Sequence, residues 1–99
     1  MDVSTDRRQL MAAADMFKAL ADPARLSILI QLERGERSVS ELTAINGAKI
    51  GTVSARLQVL LNARLVKRRR DGQAIYYSIA DGHVAALVAN AVEHACEDH

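Results

Sequence analysis

Four residues near the end of the chain carry side chains that could bind a metal cation: Asp81 and His83, then, after ten intervening residues, His94 and Glu97. Two imidazole nitrogens and two carboxylate oxygens form a donor set that suits tetrahedral zinc, Zn(II), or its mimic cobalt, Co(II). The segment from Asp81 to His99 reads as one helix. At about 100° per residue, the steps from His83 to His94 nearly complete three turns, and three more steps keep Glu97 close to the same stripe. Along the axis, however, the two imidazoles are separated by roughly 16 Å, whereas zinc lies about 2 Å from a ligating nitrogen. One helix cannot close the site. An antiparallel second copy can, because Asp81 and His83 then lie opposite His94 and Glu97 of the partner subunit. Two equivalent four-ligand sites per homodimer follow from two-fold symmetry. With every position taken by protein, such a site is regulatory or structural.

The helix that must present these ligands supports the pairing. Leu87 and Asn90 share the ligand stripe, Val84 and Ala91 flank it, and Val88 and Val92 lie opposite. A helix that is apolar on most sides is buried on most sides, so one face covers its own domain and another a partner. Asp81 precedes the helix and can also serve as its N-cap. Cys96, the only cysteine, excludes an intrachain disulfide and a thiol-rich metal site. Two residues from His94, it falls on a different face and reads as a small buried apolar residue.

Ninety-nine residues make one domain, 1–99, small enough for a dimer interface to take a large share of its surface. Aromatic residues are limited to Phe17, Tyr76 and Tyr77, while 49% of the chain is hydrophobic, a composition suited to helices packed through aliphatic side chains. The net charge of +1 is uninformative, but its distribution is not. Between Leu42 and Arg70 stand Lys49, Arg56, Arg64, Lys67, Arg68, Arg69 and Arg70 with no acid; beyond Arg70 stand Asp71, Asp81, Glu93, Glu97 and Asp98 with no Lys or Arg. A polyanion-binding middle therefore adjoins a cation-binding end. No signal peptide and no membrane-length apolar run occurs, so a cytoplasmic protein is expected. No His-Glu-x-x-His helix or nucleophile elbow occurs, which argues against an enzyme.

The remaining elements follow in order. Residues 1–6 are polar and read as frayed. Leu10, Met11, Ala14, Phe17 and Leu20 recur at helical spacing from about Arg7 and read as a core-facing stripe. Asp22 as N-cap and Pro23 at the first helical position start a second helix, filled by Leu26, Ile28, Leu29 and Leu32 and stopping near Gly35. The pair Ser38 and Glu41 forms a capping box opening a third helix, with Val39, Leu42 and Ile45 inward, which ends at the Asn46-Gly47 turn. A fourth helix, from about Lys49 to Asn62, turns Ile50, Val53, Leu57, Leu60 and Leu61 inward.

Two helices joined by a tight turn make a helix-turn-helix, whose second helix can enter a major groove. Its outer side offers Lys49, Thr52, Ser54, Ala55, Arg56 and Gln58, side chains suited to phosphates and base edges. Strands at Val66–Arg70 and Ala74–Ile79 around an Asp71-Gly72 turn then form a hairpin with Lys67, Arg68, Arg69 and Arg70 crowding one strand.

At this point the chain resembles the ArsR/SmtB family of metal-responsive winged-helix repressors, over nearly its whole length. The resemblance is carried by Ala21-Asp22-Pro23-Ala24-Arg25-Leu26-Ser27-Ile28-Leu29, by Thr52-Val53-Ser54 with Leu57 and Leu60-Leu61, by Leu65-Val66, and by Asp71-Gly72-Gln73-Ala74-Ile75-Tyr76-Tyr77-Ser78-Ile79. It implies a mainly α, winged helix-turn-helix fold with a small β-hairpin wing. It also implies a homodimer with N- and C-terminal dimerisation helices that binds double-stranded operator DNA when metal-free and releases it when metal binds. The set Asp81, His83, His94 and Glu97 is similar to the C-terminal-helix site of the family's zinc and cobalt sensors. Ser38, Val39, Ser40 and Glu41 stand where soft-metal sensors carry a cysteine pair. The N-terminus offers no histidine toward a nickel site, although His99 could add a ligand at the far end. By resemblance, DNA contact falls to Lys49, Thr52, Ser54, Arg56 and Gln58, and in the wing to Arg68, Arg69, Arg70 and Gln73. Lys49 and Ile50 stand where the family often has Ser-Gln, Gly51 is unusual there, and Ala55-Arg56 replaces Arg-His or His-His, so the operator sequence stays open. No membrane and no small organic substrate is implied. The alternative is a repressor of the same family that senses a non-metal or a redox signal at Cys96, which would bind no stoichiometric zinc.

Overall fold

Side-chain capping organises the chain from its start. In the structure, a computed structural model that describes residues 6–97, Asp6 caps helix α1 (Arg7–Leu20) through a reciprocal box with Gln9. Asp6 is therefore ordered, while residues 1–5 of the segment read as frayed lie outside the described residues. Asp22 accepts the N–H groups of Ala24 and Arg25 at 2.8 and 3.1 Å and opens α2 (Pro23–Leu32) with proline at its first position. Arg25 then reaches back, donating to the carbonyl oxygens of Ala19 and Lys18 at the end of α1. A cation on the C-terminal carbonyls of α1 ties the α1–α2 corner.

Residues Arg37–Ser38 form a short strand, β1, that the sequence reading missed. Ser38 doubles as the cap of α3 (Val39–Asn46), its box with Glu41 closed at 2.9 and 3.1 Å. Gly47 ends α3 at φ 59°, a conformation that glycine adopts without a Cβ clash. Helix α4 (Ile50–Asn62) follows, then β2 (Val66–Asp71), β3 (Ala74–Ile79) and α5 (Gly82–Cys96). The sheet is antiparallel in the order β1-β3-β2. Asp71 pairs with Ala74, so the two loop residues are Gly72 and Gln73, one step beyond the expected turn. Gly72 has φ 64° and Gln73 no positive φ, the type II′ pattern that calls for glycine first.

The core lies between α2, α3, α4 and the sheet, with Ile28, Leu29, Leu42, Leu57, Leu60 and Leu65 fully buried. Tyr77 brings β3 into it, and Val84 and Val88 seat α5. Two apolar groups and one helix end depart from expectation. Leu10, Met11 and Phe17 of α1 are exposed rather than inward, because α1 covers the domain only through Met16, Ala19 and Leu20. Ile45 and Ile50, flanking the α3–α4 turn, also face solvent. Helix α5 ends at Cys96, before the expected His99, and Glu97 adopts extended backbone. Acidic Glu97 and Asp98 oppose the negative end of a helix dipole, a physical reason for stopping there. Residues 98 and 99 lie outside the described residues.

Candidate functional site

Helices α3 and α4, joined by Gly47, Ala48 and Lys49, place α4 on the surface with Val53, Leu57 and Leu60 inward. A reciprocal amide pair holds α3 to α2: Gln31 donates to Asn46 at 3.0 Å and Asn46 donates back at 2.9 Å. Of the five helices among the described residues, α1, α2, α3 and α5 receive side-chain caps, while α4 begins at Lys49 without one. Its leading amides are thus available to an outside acceptor.

The structure distributes the expected DNA-contact residues unevenly. Lys49, Thr52 and Ser54 are exposed along the first half of α4. Gln58 is exposed too, with its amide donating to Asn62 at 2.8 Å along the helix. Arg56 is half-buried. It lies near Asp22, whose carboxyl is held below its ordinary value first by the Arg25 backbone N–H and in smaller part by the Arg56 charge.

In the wing, cross-strand partners share a face. Arg68 and Arg70, opposite Tyr77 and Ile75, lie on the Val66 face of β2, and Lys67 and Arg69 on the other. Gln73 is exposed in the hairpin turn. Arg69 is engaged within the chain: its guanidinium forks onto Glu36 at 2.8 and 2.7 Å and sits 4.7 Å from the Tyr76 ring centroid. The hydrogen bond from Arg69 holds the Glu36 carboxyl below its ordinary value. Glu36 escaped the sequence reading because the partners are 33 residues apart and only the sheet brings them together.

At the other end of the molecule, α5 carries the four metal-binding candidates as two separate pairs. Asp81 is its N-cap, accepting the Val84 N–H at 3.0 Å through Oδ1. His83, with its side chain 100% exposed, has Nδ1 3.7 Å from that same oxygen. His94, on the last turn, has Nδ1 3.7 Å from Glu97 Oε2, with Glu97 now in the C-cap. Among the described residues no three His, Cys, Asp or Glu side chains gather to hold a metal within one chain. The two pairs stand at opposite ends of a 15-residue helix, each exposed and of nitrogen-plus-oxygen type. The donor chemistry fits a borderline cation such as zinc, provided that a second chain completes it. Cys96, expected to be buried, is exposed beside this end, because the helix runs past the body that would cover it.

Comparison with known proteins gives a consistent picture. Residues 22–68 match the pattern of the bacterial regulatory protein, arsR family. The chain is similar to the transcriptional repressor SmtB homolog of Synechocystis sp., 42% identical over 92 residues, covering 93% of this chain and 68% of that one. It is also similar to the HTH-type transcriptional regulator NmtR of Mycobacterium tuberculosis, 40% identical over 90% of this chain and 74% of the relative. In three dimensions it superposes on the homodimeric winged helix-turn-helix DNA-binding domain (fragment 1-100) of a possible ArsR-family regulator from Mycobacterium bovis. The TM-score is 0.89 at 39% identity, covering 100% of this chain and 96% of the other.

Proposed function

The chain belongs to the ArsR/SmtB family of metal-responsive transcriptional repressors, and from that premise we propose that it is a zinc- or cobalt-responsive member acting as a homodimer on operator DNA. The observation that carries the metal reading is the split of α5 into an Asp81–His83 pair and a His94–Glu97 pair, each too poor in donors to act alone. Asp81 and His83 would hold the cation together with His94 and Glu97 of the partner subunit. When bound, the cation supplies coordinate bonds that tie the two subunits through their C-terminal helices. Asp81 caps its helix with Oδ1, so Oδ2 can be turned outward without undoing the cap.

The apolar surface needed for pairing is present. Phe17, 61% exposed, lines a groove of about 260 Å³ with Leu20, Leu26, Leu87 and Ala91, between α1, α2 and α5. Leu10 and Met11 extend that surface along α1. We assign it to the homodimer, which makes α1 and α5 the dimerisation helices.

On the DNA side, Lys49, Thr52 and Ser54, exposed beside the uncapped amides of α4, would take phosphate and base contacts, and Arg68, Arg70 and Gln73 the backbone beside them. Val84 and Val88 seat α5 on the same core that holds α4, so a change in how two α5 helices meet alters the separation of two reading helices. The metal-free dimer binds DNA, and cation binding favours a placement that no longer matches successive grooves. The test is a gel-shift titration with zinc, cobalt and nickel on DNA flanking the gene. Release by zinc or cobalt at a stoichiometry of two per dimer is expected. Release by none of the metals overturns the sensor reading.

A further inference from the structure

We infer that Ile50 and Gly51, the first two residues of α4, form a thymine-reading element: the isoleucine contacts a thymine methyl in the major groove and the glycine lets the backbone approach the bases. The inference rests on the reading of α4 as the DNA-facing helix.

Ile50 is 59% exposed and belongs neither to the buried core nor to the apolar residues packed at its edge. The inward side of α4 is already filled by Val53, Leu57 and Leu60. The exposed isoleucine therefore stands at the helix N-terminus, the end from which a reading helix of this class reaches base edges. An aliphatic side chain can neither donate nor accept a hydrogen bond. Among the four bases only thymine offers it an apolar partner in the major groove, the C5 methyl.

Gly51 points the same way. Glycine is the poorest helix former after proline, and Gly51 sits in helical backbone with no positive φ to require it. A Cβ built there meets nothing within 4 Å, so no neighbour in the chain forbids a side chain. Nothing within the chain requires glycine at this position, and a backbone without a Cβ can come closer to a base edge. With Lys49 supplying no side-chain cap, the adjoining amides remain open to a phosphate, which brings this turn against the duplex.

The test uses the full-length chain and a duplex that it selects from a random pool. Each thymine of a half-site is then replaced by uracil, which removes only the methyl. One position per half-site should lose about fourfold in affinity, the value of burying one methyl group. Ile50→Ala should bind more weakly and no longer distinguish thymine from uracil at that position. Gly51→Ala should raise the thermal midpoint by roughly 2 to 6 °C while lowering affinity about tenfold, opposite signs that a purely structural role cannot produce. Uracil tolerated everywhere, an Ile50→Ala variant that keeps the uracil penalty, or a Gly51→Ala variant with wild-type affinity would overturn the inference while leaving DNA binding by α4 standing. Failure of the wild-type chain to select any duplex would instead overturn the DNA reading of α4 itself.

Discussion

An aspartate at a helix start has two oxygens, and Asp81 commits one of them to the Val84 N–H. Asparagine keeps an oxygen for that bond but loses the negative charge. Asp81→Asn should therefore fold with near-normal stability and bind zinc more weakly. Asp81→Ala should lose the cap as well, about 1 kcal/mol by urea denaturation. At the other end of α5, His94→Ala should leave operator binding intact and abolish release by zinc in a gel shift. A variant that still lets go of DNA when zinc is added would show that the ligands are misassigned.

The wing behaves as an element rather than as a row of equivalent cations. Arg69 fastens β2 to Glu36, just ahead of β1, while Arg68 and Arg70 lie on the opposite face. Arg68→Ala and Arg70→Ala should each lower the slope of log affinity against log salt by about one, the signature of a lost phosphate contact. Glu36→Gln tests what Arg69 does. If its tether positions the wing, the variant weakens DNA binding; a gain in affinity would mean that Glu36 had been competing with DNA for Arg69. Carboxylates at the element joints carry a pH dependence. Glu36, through the Arg69 hydrogen bond, and Glu41, through the Ser38 backbone N–H, sit below ordinary carboxylate values, as does Asp22 through Arg25. A carboxylate lowered on folding contributes stability that is present above its unfolded pKa and lost as pH falls through the folded one. The thermal midpoint should hold from neutrality down to about pH 5 and drop below about pH 4, with a smaller drop in Glu36→Gln.

For the whole molecule, a radius of gyration of 14.6 Å exceeds the roughly 12.6 Å of a compact domain of this length. Leu10, Met11 and Phe17 stand outward on α1, apolar surface that a partner subunit would cover. Phe17→Asp should convert the dimer to monomer by analytical ultracentrifugation and, with it, abolish both zinc binding and operator binding. Linkage sets a further condition: operator DNA must weaken zinc binding by the factor by which zinc weakens operator binding.

The amino-acid sequence by itself determined the elements and their joints. Asp22-Pro23, the Ser38–Glu41 box and Asn46-Gly47 are local devices whose partners lie within a few residues, so their geometry does not wait for a fold. The spacing of Asp81, His83, His94 and Glu97 likewise placed two donor pairs too far apart for one metal, from helical rise alone. Tertiary structure decided what depends on distant neighbours. Periodicity shows that a helix has an apolar side but not which body covers it, so Leu10, Met11, Phe17, Ile45 and Ile50 read as core and stand in solvent. It also decided which wing arginine is tethered, because only sheet pairing brings Glu36 to Arg69. Local hydrogen bonds act across a few residues and are legible one segment at a time, whereas burial and ion pairing belong to the assembled surface.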